Sequence, residues 1–164
     1  MNLERLAEYW RSIIGADANS GASDDEIAVF ESRCGISLPA TVSQFYRRFN
    51  GIAGCDDNYI AFWPIHEIGS VPEKLSDCRG IPDYGGIENS LPDSESYFVF
   101  ADHSIWCHVY AVRLNSDPSA PTPVMWIGSG TAWDKLADGF EEFIDLYIAN
   151  PDSILFPDSL KSKS

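Results

Sequence analysis

The chain has little positive charge: its 164 residues carry 11 Lys and Arg against 25 Asp and Glu, a formal net charge of −14. Binding a phosphate backbone requires clustered cations, and the one adjacent pair of bases is Arg47-Arg48, so direct nucleic-acid binding is disfavoured. Long apolar runs are missing as well. None approaches the roughly 20 residues that cross a bilayer, and no membrane span is expected. The start, MNLERLAEYWRSII, lacks a basic segment leading into a continuous apolar stretch; it does not read as a secretory leader, and the cytoplasm is the expected location. Cysteine is sparse and badly spaced for chemistry. Cys34, Cys55, Cys78 and Cys107 stand 21, 23 and 29 residues apart with no CxxC pair, so no metal site is expected, and separate reduced thiols fit better than two disulfides. Internal repeats and a domain linker are also lacking.

What remains is ample material for a core, 45% apolar and 13% aromatic. A chain of this length suits one domain burying roughly 70% of its unfolded surface. The expected division is a single domain over 1–151 and a C-terminal tail over 152–164.

The stretch from Ser23 to Gly51 carries the clearest local signals. Ser23 followed by Glu26 has the form of a capping box, which predicts a helix from Asp24 to Cys34 with Ile27, Phe30 and Cys34 on its buried face and Gly35 as its stop. Leu38-Pro39 restarts the chain, with proline expected at the first helical position. Val42, Phe45, Tyr46 and Phe49 give the second apolar stripe, closed by Asn50-Gly51, both of which tolerate positive φ. Before this stretch, Leu3, Leu6, Ala7, Trp10, Ile13 and Ile14 predict a helix over Asn2–Ile14 ended by Gly15, then a loop over 16–22.

Beyond Gly51 the pattern turns extended. Strands are expected at Tyr59–Trp63, Tyr97–Ala101, Trp106–Leu114 and Pro123–Ile127, with a hairpin turn over Asp102–Ile105. Alternation along the third strand puts Trp106, His108, Tyr110 and Val112 on one face. Residues 65–78 read as a short helix or turn, 79–96 as a long loop, and 115–122 as another loop. Gly128-Ser129-Gly130 then leads into a closing helix, in which Thr131 and Asp134 form a capping pair and the apolar stripe runs from Trp133 to Ile148. This order predicts an α+β fold: a mixed, largely antiparallel sheet flanked by N-terminal helices and one C-terminal helix, with acidic loops outside.

Catalytic patterns are weak. Asp102-His103 and Cys107-His108 hold the right residue types, but neighbours on a strand point to opposite faces, whereas a thiol nucleophile needs its base in hydrogen-bond reach. His66 beside Glu67 specifies neither ligation nor proton transfer. Gly128-Ser129-Gly130-Thr131 lacks the lysine of a phosphate loop and the GxSxG of a nucleophile elbow, and reads as a tight connection. No catalytic residue, metal or cofactor is assigned.

The acids are more informative. From Phe49 to Val112 only Lys74 and Arg79 are basic against ten acids, so this segment carries −8 of the −14. Such a surface either keeps the protein soluble or steers a basic partner toward it, and aromatic residues nearby would supply anchors. The candidate partner-binding residues are Asp56, Asp57, Asp83, Tyr84, Glu88, Asp93 and Glu95.

The order helix, G-I-x-L-P, helix, F-Y-x-x-F-N-G over Cys34–Gly51, followed by Ile60-Ala61-Phe62-Trp63-Pro64-Ile65 and His66-Glu67-Ile68, resembles the SUKH superfamily of Smi/Knr-type domains. The similarity continues through Tyr97-Phe98 and Tyr110-Ala111 to Phe140-Glu141-Glu142-Phe143-Ile144, spanning about Leu3 to Ile148. The resemblance implies a SUKH-like sheet flanked by helices, no shared catalytic residues, and, in many bacterial members, an immunity protein that neutralises a polymorphic toxin, often a nuclease. Fungal relatives serve in cell-wall regulation. The expected function is therefore stoichiometric inhibition of a cognate, basic toxin protein, with a regulatory scaffold without a toxin partner as the alternative. The long 79–96 loop departs from shorter family members.

Overall fold

Helix signals in the first third of the chain are realised closely. A computed structural model of the chain describes residues 2–13 and 18–157. Helix α1 spans Leu3–Ile13 and is capped by the Asn2 side chain, whose oxygen accepts the Arg5 N–H at 3.0 Å. The expected end at Ile14-Gly15, and residues 16–17 of the following loop, lie outside the described residues. Helix α2 covers Asp24–Cys34. Its capping box is complete: Ser23 Oγ accepts the Glu26 N–H at 3.2 Å, and Glu26 Oε2 accepts the Ser23 N–H at 2.8 Å. Helix α3, Ala40–Arg48, starts one residue later than expected, so Pro39 is the cap and not the first helical residue. Gly51 has φ 76, and a Cβ there would lie 2.5 Å from the Phe62 carbonyl oxygen, so both conformation and space require glycine. Asn50 closes the turn differently from expectation: its side-chain oxygen accepts the Ile65 N–H at 2.7 Å, pinning the helical half to the sheet.

The sheet follows. Strand β1 is Ile60–Phe62 and β2 is Gly69–Ser70, with a 3₁₀ turn at Ile65–Glu67 between them. Strands β3 (Tyr97–His103), β4 (His108–Arg113), β5 (Val124–Gly128) and β6 (Trp133–Ala137) complete six strands in the order β1-β3-β4-β5-β6, with β2 beside β1 on the edge of β3. The pairings of β1 and β2 with β3 are antiparallel, as are those of β3 with β4, β4 with β5 and β5 with β6. Short helices α4 (Val71–Leu75) and α5 (Ile87–Ser90) lie between β2 and β3, and α6 (Phe140–Ala149) and α7 (Asp152–Leu155) follow β6. The fold is α+β, with N-terminal helices and a C-terminal helix flanking a largely antiparallel sheet.

One expected helix start is corrected. Residues Trp133–Ala137 form β6, and the helix begins only at Phe140. Five residues of this segment satisfy the edge of β5 (Met125↔Lys135, Ile127↔Trp133), a demand invisible to local periodicity, and Gly130 at φ 79 makes the turn. Thus Gly128-Ser129-Gly130 joins strand to strand. Asp138-Gly139 then breaks the chain, and α6 is started by Thr122 Oγ1, which accepts the Phe140 N–H at 3.0 Å.

Both faces of the sheet are covered. Phe98, Phe100, Tyr110, Val112, Val124 and Trp126 pack with α1, α2, α3 and α6. Val99, Val109, Ala111, Met125 and Ile127 pack on the other side with Val71, Leu75, Tyr84, Ile87 and Leu91. The segment expected as a loop over 79–96 therefore lays a second apolar layer on the sheet. In the expected tail, Ile154 is buried and its carbonyl accepts the Tyr110 hydroxyl at 3.2 Å.

Candidate functional site

Strand register gathers four connections at one end of the sheet. Ile60 pairs with His103, His103 with His108, His108 with Gly128, and Ile127 with Trp133, so the turns at 54–59, 104–107 and 129–132 share that end. The 79–86 segment joins them: Gly130 N–H donates to the Asp83 carbonyl at 2.5 Å, and Ser129 Oγ donates to the same oxygen at 3.0 Å.

This end is held in an unusual backbone state. Tyr59, Ser104, Ile105 and Trp106 have φ of 60, 50, 55 and 64, which makes them four of the five non-glycine residues with positive φ among the described residues. Left-handed backbone costs an L-residue on the order of 1 kcal/mol, more for a β-branched one such as Ile105. The surroundings fix it in place. Asp102 is buried and acts as a clamp: Oδ1 accepts the Trp106 N–H at 3.0 Å and Oδ2 accepts Trp63 Nε1–H at 2.7 Å. The Trp63 and Trp106 rings lie 4.8 Å apart, Tyr84 OH donates to the Trp106 carbonyl at 2.7 Å, and Ser104 N–H donates to the Tyr59 carbonyl at 2.8 Å. The left-handed run also turns Trp106 toward the Tyr84 side of the sheet, opposite to His108, so the expected alternation begins only at His108.

The loops project what the core does not use. Six large hydrophobic side chains are exposed among the described residues: Val29, Tyr59 (64%), Ile81 (103%), Ile105 (89%), Trp133 and Phe156. All but Val29 belong to this end. Trp133 pairs at the start of β6, Phe156 lies 6.4 Å from the His108 ring, and Ile81 is two residues before Asp83.

The candidate acids separate in space. Asp56 is buried, and its carboxylate accepts the N–H groups of Asn58 and Ile60 and the Tyr147 hydroxyl at 2.8, 2.9 and 2.6 Å. Tyr84 is fully buried, its hydroxyl pushed well above the ordinary tyrosine range first by burial. Both serve the fold. Asp57 is exposed and Asp83 half-buried at the loop end. Glu88 accepts a hydrogen bond from Ser76 over the second face. Asp93 and Glu95 sit at the opposite end, where Asp93 pairs with Arg113 at 3.3 Å. Tyr59, Ile81 and Ile105 were not flagged by sequence; the available signal was a hairpin turn, Ser104-Ile105-Trp106, with no glycine, asparagine or proline.

The remaining polar features are a stacked histidine pair and an arginine-lined cleft. His108 is buried, its Nε2 lies 3.0 Å from Tyr110 OH and its ring stacks on His103 at 4.6 Å; burial, then His103, push its pKa down to about 3. An open cleft of about 480 Å³ lined by Arg11, Arg47 and Arg48 has two of these bases engaged, Arg47 with Asp24 at 2.5 Å and Arg48 with Glu4 at 3.6 Å. Among the described residues no group of three or more His, Cys, Asp or Glu is placed to hold a metal ion, and no helix is long and apolar enough to cross a membrane.

A search of curated protein sequences returned no match. The family model described as "SMI1 / KNR4 family (SUKH-1)" matches residues 21–146, which include α2 through most of α6 and every strand of the sheet. With more than half of its length matched, the chain belongs to the SMI1/KNR4 (SUKH-1) family.

Proposed function

We propose that the chain is an immunity protein that binds a cognate toxin one-to-one in the cytoplasm and blocks the toxin's access to its substrate. Membership of a family of immunity-like domains supports this reading. The observation that carries it on this chain is the one-sided charge. Ten acids against two bases between Phe49 and Val112 give a field that attracts a basic protein and repels nucleic acid, the substrate such a toxin would seek. Asp57, Asp83, Glu88, Asp93 and Glu95 are the members of the candidate set that remain for steering; Asp56 and Tyr84 are committed to the interior.

The test is co-purification and titration against the catalytic domain of a toxin-like protein encoded next to this gene, and a neighbourhood without such a gene counts against the role. A saturable 1:1 complex at low salt, weakened by higher salt and by reversal of Asp57, Asp83, Asp93 and Glu95 to lysine, together with rescue of toxin-expressing cells, is the expected result. Absence of a complex at low salt, or a complex that leaves the toxin active, rejects the role.

A further inference from the structure

We infer that the loop end of the sheet, with Tyr59, Ile81 and Ile105 as apolar anchors, is the surface on which the basic partner docks; this rests on the neutralising role proposed above. Three independent observations converge there. The exposed large apolar side chains are concentrated at this end, with only Val29 elsewhere among the described residues. Small apolar clusters rimmed by charge are the usual form of an interaction site, because a few desolvated anchors supply most of the binding energy.

The second observation is Ile105 itself. A tight turn with positive φ is relaxed by asparagine or glycine, and a β-branched residue is among the least suited. Ile105 has φ 55 and is 89% exposed, so neither the backbone nor the core gains from it. Tyr59 repeats the pattern, with φ 60 and a ring 64% exposed. The turn is nonetheless held rigidly by Asp102, Tyr84 and the Trp63–Trp106 contact, so an anchor mounted on it loses little freedom on binding.

The third is charge, which selects the occupant. Asp57 and Asp83 flank these loops, Arg79 is the base beside Asp83 and Gly85, and the chain as a whole stands at −14. A protein face with an apolar centre and a basic rim complements this end. The opposite end offers Asp93 already paired with Arg113 and, among the described residues, no exposed large apolar side chain. On this assignment the acids set the encounter rate and the apolar anchors set the lifetime of the complex.

Ile105→Asn and Tyr59→Asn test it, because asparagine tolerates the backbone at both sites. Thermal unfolding is expected at an equal or higher temperature than for the unaltered chain. Affinity for the toxin domain is expected to fall about 10-fold or more for each, chiefly through faster dissociation. Asp57→Asn should slow association alone, with the difference vanishing at high salt. A complex from the Tyr59→Asn, Ile81→Ser, Ile105→Asn triple variant within about 2-fold of the unaltered chain overturns the docking assignment while leaving the neutralising role intact. No complex from the unaltered chain rejects that role, and this surface with it.

Discussion

Replacing Asp56 with alanine separates a structural acid from the surface acids around it. The carboxylate accepts three hydrogen bonds, from Asn58 N, Ile60 N and Tyr147 OH, and Tyr147 OH in turn accepts Trp10 Nε1–H at 2.9 Å. Hydrogen bonds to a charged acceptor contribute roughly 1.5–3 kcal/mol each. Their sum overshoots, since deletion also removes the burial cost of the carboxylate, and half-buried Asn58 N–H can turn to water. The buried Ile60 N–H and Tyr147 hydroxyl remain, for a net loss of about 3 kcal/mol. With a urea slope of roughly 2 kcal/mol/M for a domain of this size, the unfolding midpoint should drop by about 1.5 M. Asp57→Ala, at the exposed neighbour, should move it by less than about 0.3 M. A cycle with Tyr147→Phe should show coupling of about 1 kcal/mol or more. An Asp56→Ala midpoint indistinguishable from that of Asp57→Ala, or strict additivity with Tyr147→Phe, would refute the reasoning.

His108 should make the fold acid-sensitive: with its pKa down at about 3, the folded chain stays unprotonated where the unfolded chain, near 6.5, takes up a proton. That stability is fully present above pH 6.5 and is lost as pH falls toward 3, about 1.4 kcal/mol by pH 5.5. Urea titrations at pH 7.5 and 5.5 should show this difference, reduced in His108→Gln; a slope unchanged by the substitution argues against His108 as its source. Gly51→Ala should cost about 2 kcal/mol or more, because positive φ and the Phe62 carbonyl both oppose a Cβ, and a thermal midpoint within 2 °C of the unaltered chain contradicts this. Tyr46→Phe should be neutral or stabilising by about 1 kcal/mol, since the buried hydroxyl has no hydrogen-bond partner among the described residues, and calorimetry showing a loss of that size would contradict this.

Local signals carried the helical half of the fold because each was complete within a few residues. Ser23 and Glu26 meet across one turn, and Ile27 and Phe30 bury one face, with no distant partner needed to define them. Trp133, Leu136 and Ala137 have helical spacing, yet the segment is a strand, because the edge of β5 requires pairing. Within residues 65–78, which read as a short helix or turn, the Ser70–Glu73 capping box starts helix α4 and decides between the two. At the candidate site, acidity was visible in the composition, but burial was not. Asp56 and Asp57 are adjacent in sequence, and only the approach of Tyr147, 91 residues away, makes one interior and leaves the other outside. The loop-end apolar residues are not legible locally, because exposure of a turn isoleucine is a property of the folded chain.

The two borders of the sheet are treated unequally, and this bears on how copies of the chain avoid one another. The border at β1 is capped by its own chain: Ile52 N–H donates to the Phe62 carbonyl at 3.0 Å and Asp56 N–H to the Ile60 carbonyl at 2.9 Å. The border strand β6 is five residues long, has a register break opposite Val124 and Met125, and presents Lys135, which pairs with Asp138 at 2.5 Å. Shortness, irregularity and an outward lysine each discourage a foreign strand from extending the ladder. Edge-to-edge pairing between copies of the chain is thereby disfavoured at both borders, by the chain's own backbone at one and by the strand's length, irregularity and charge at the other.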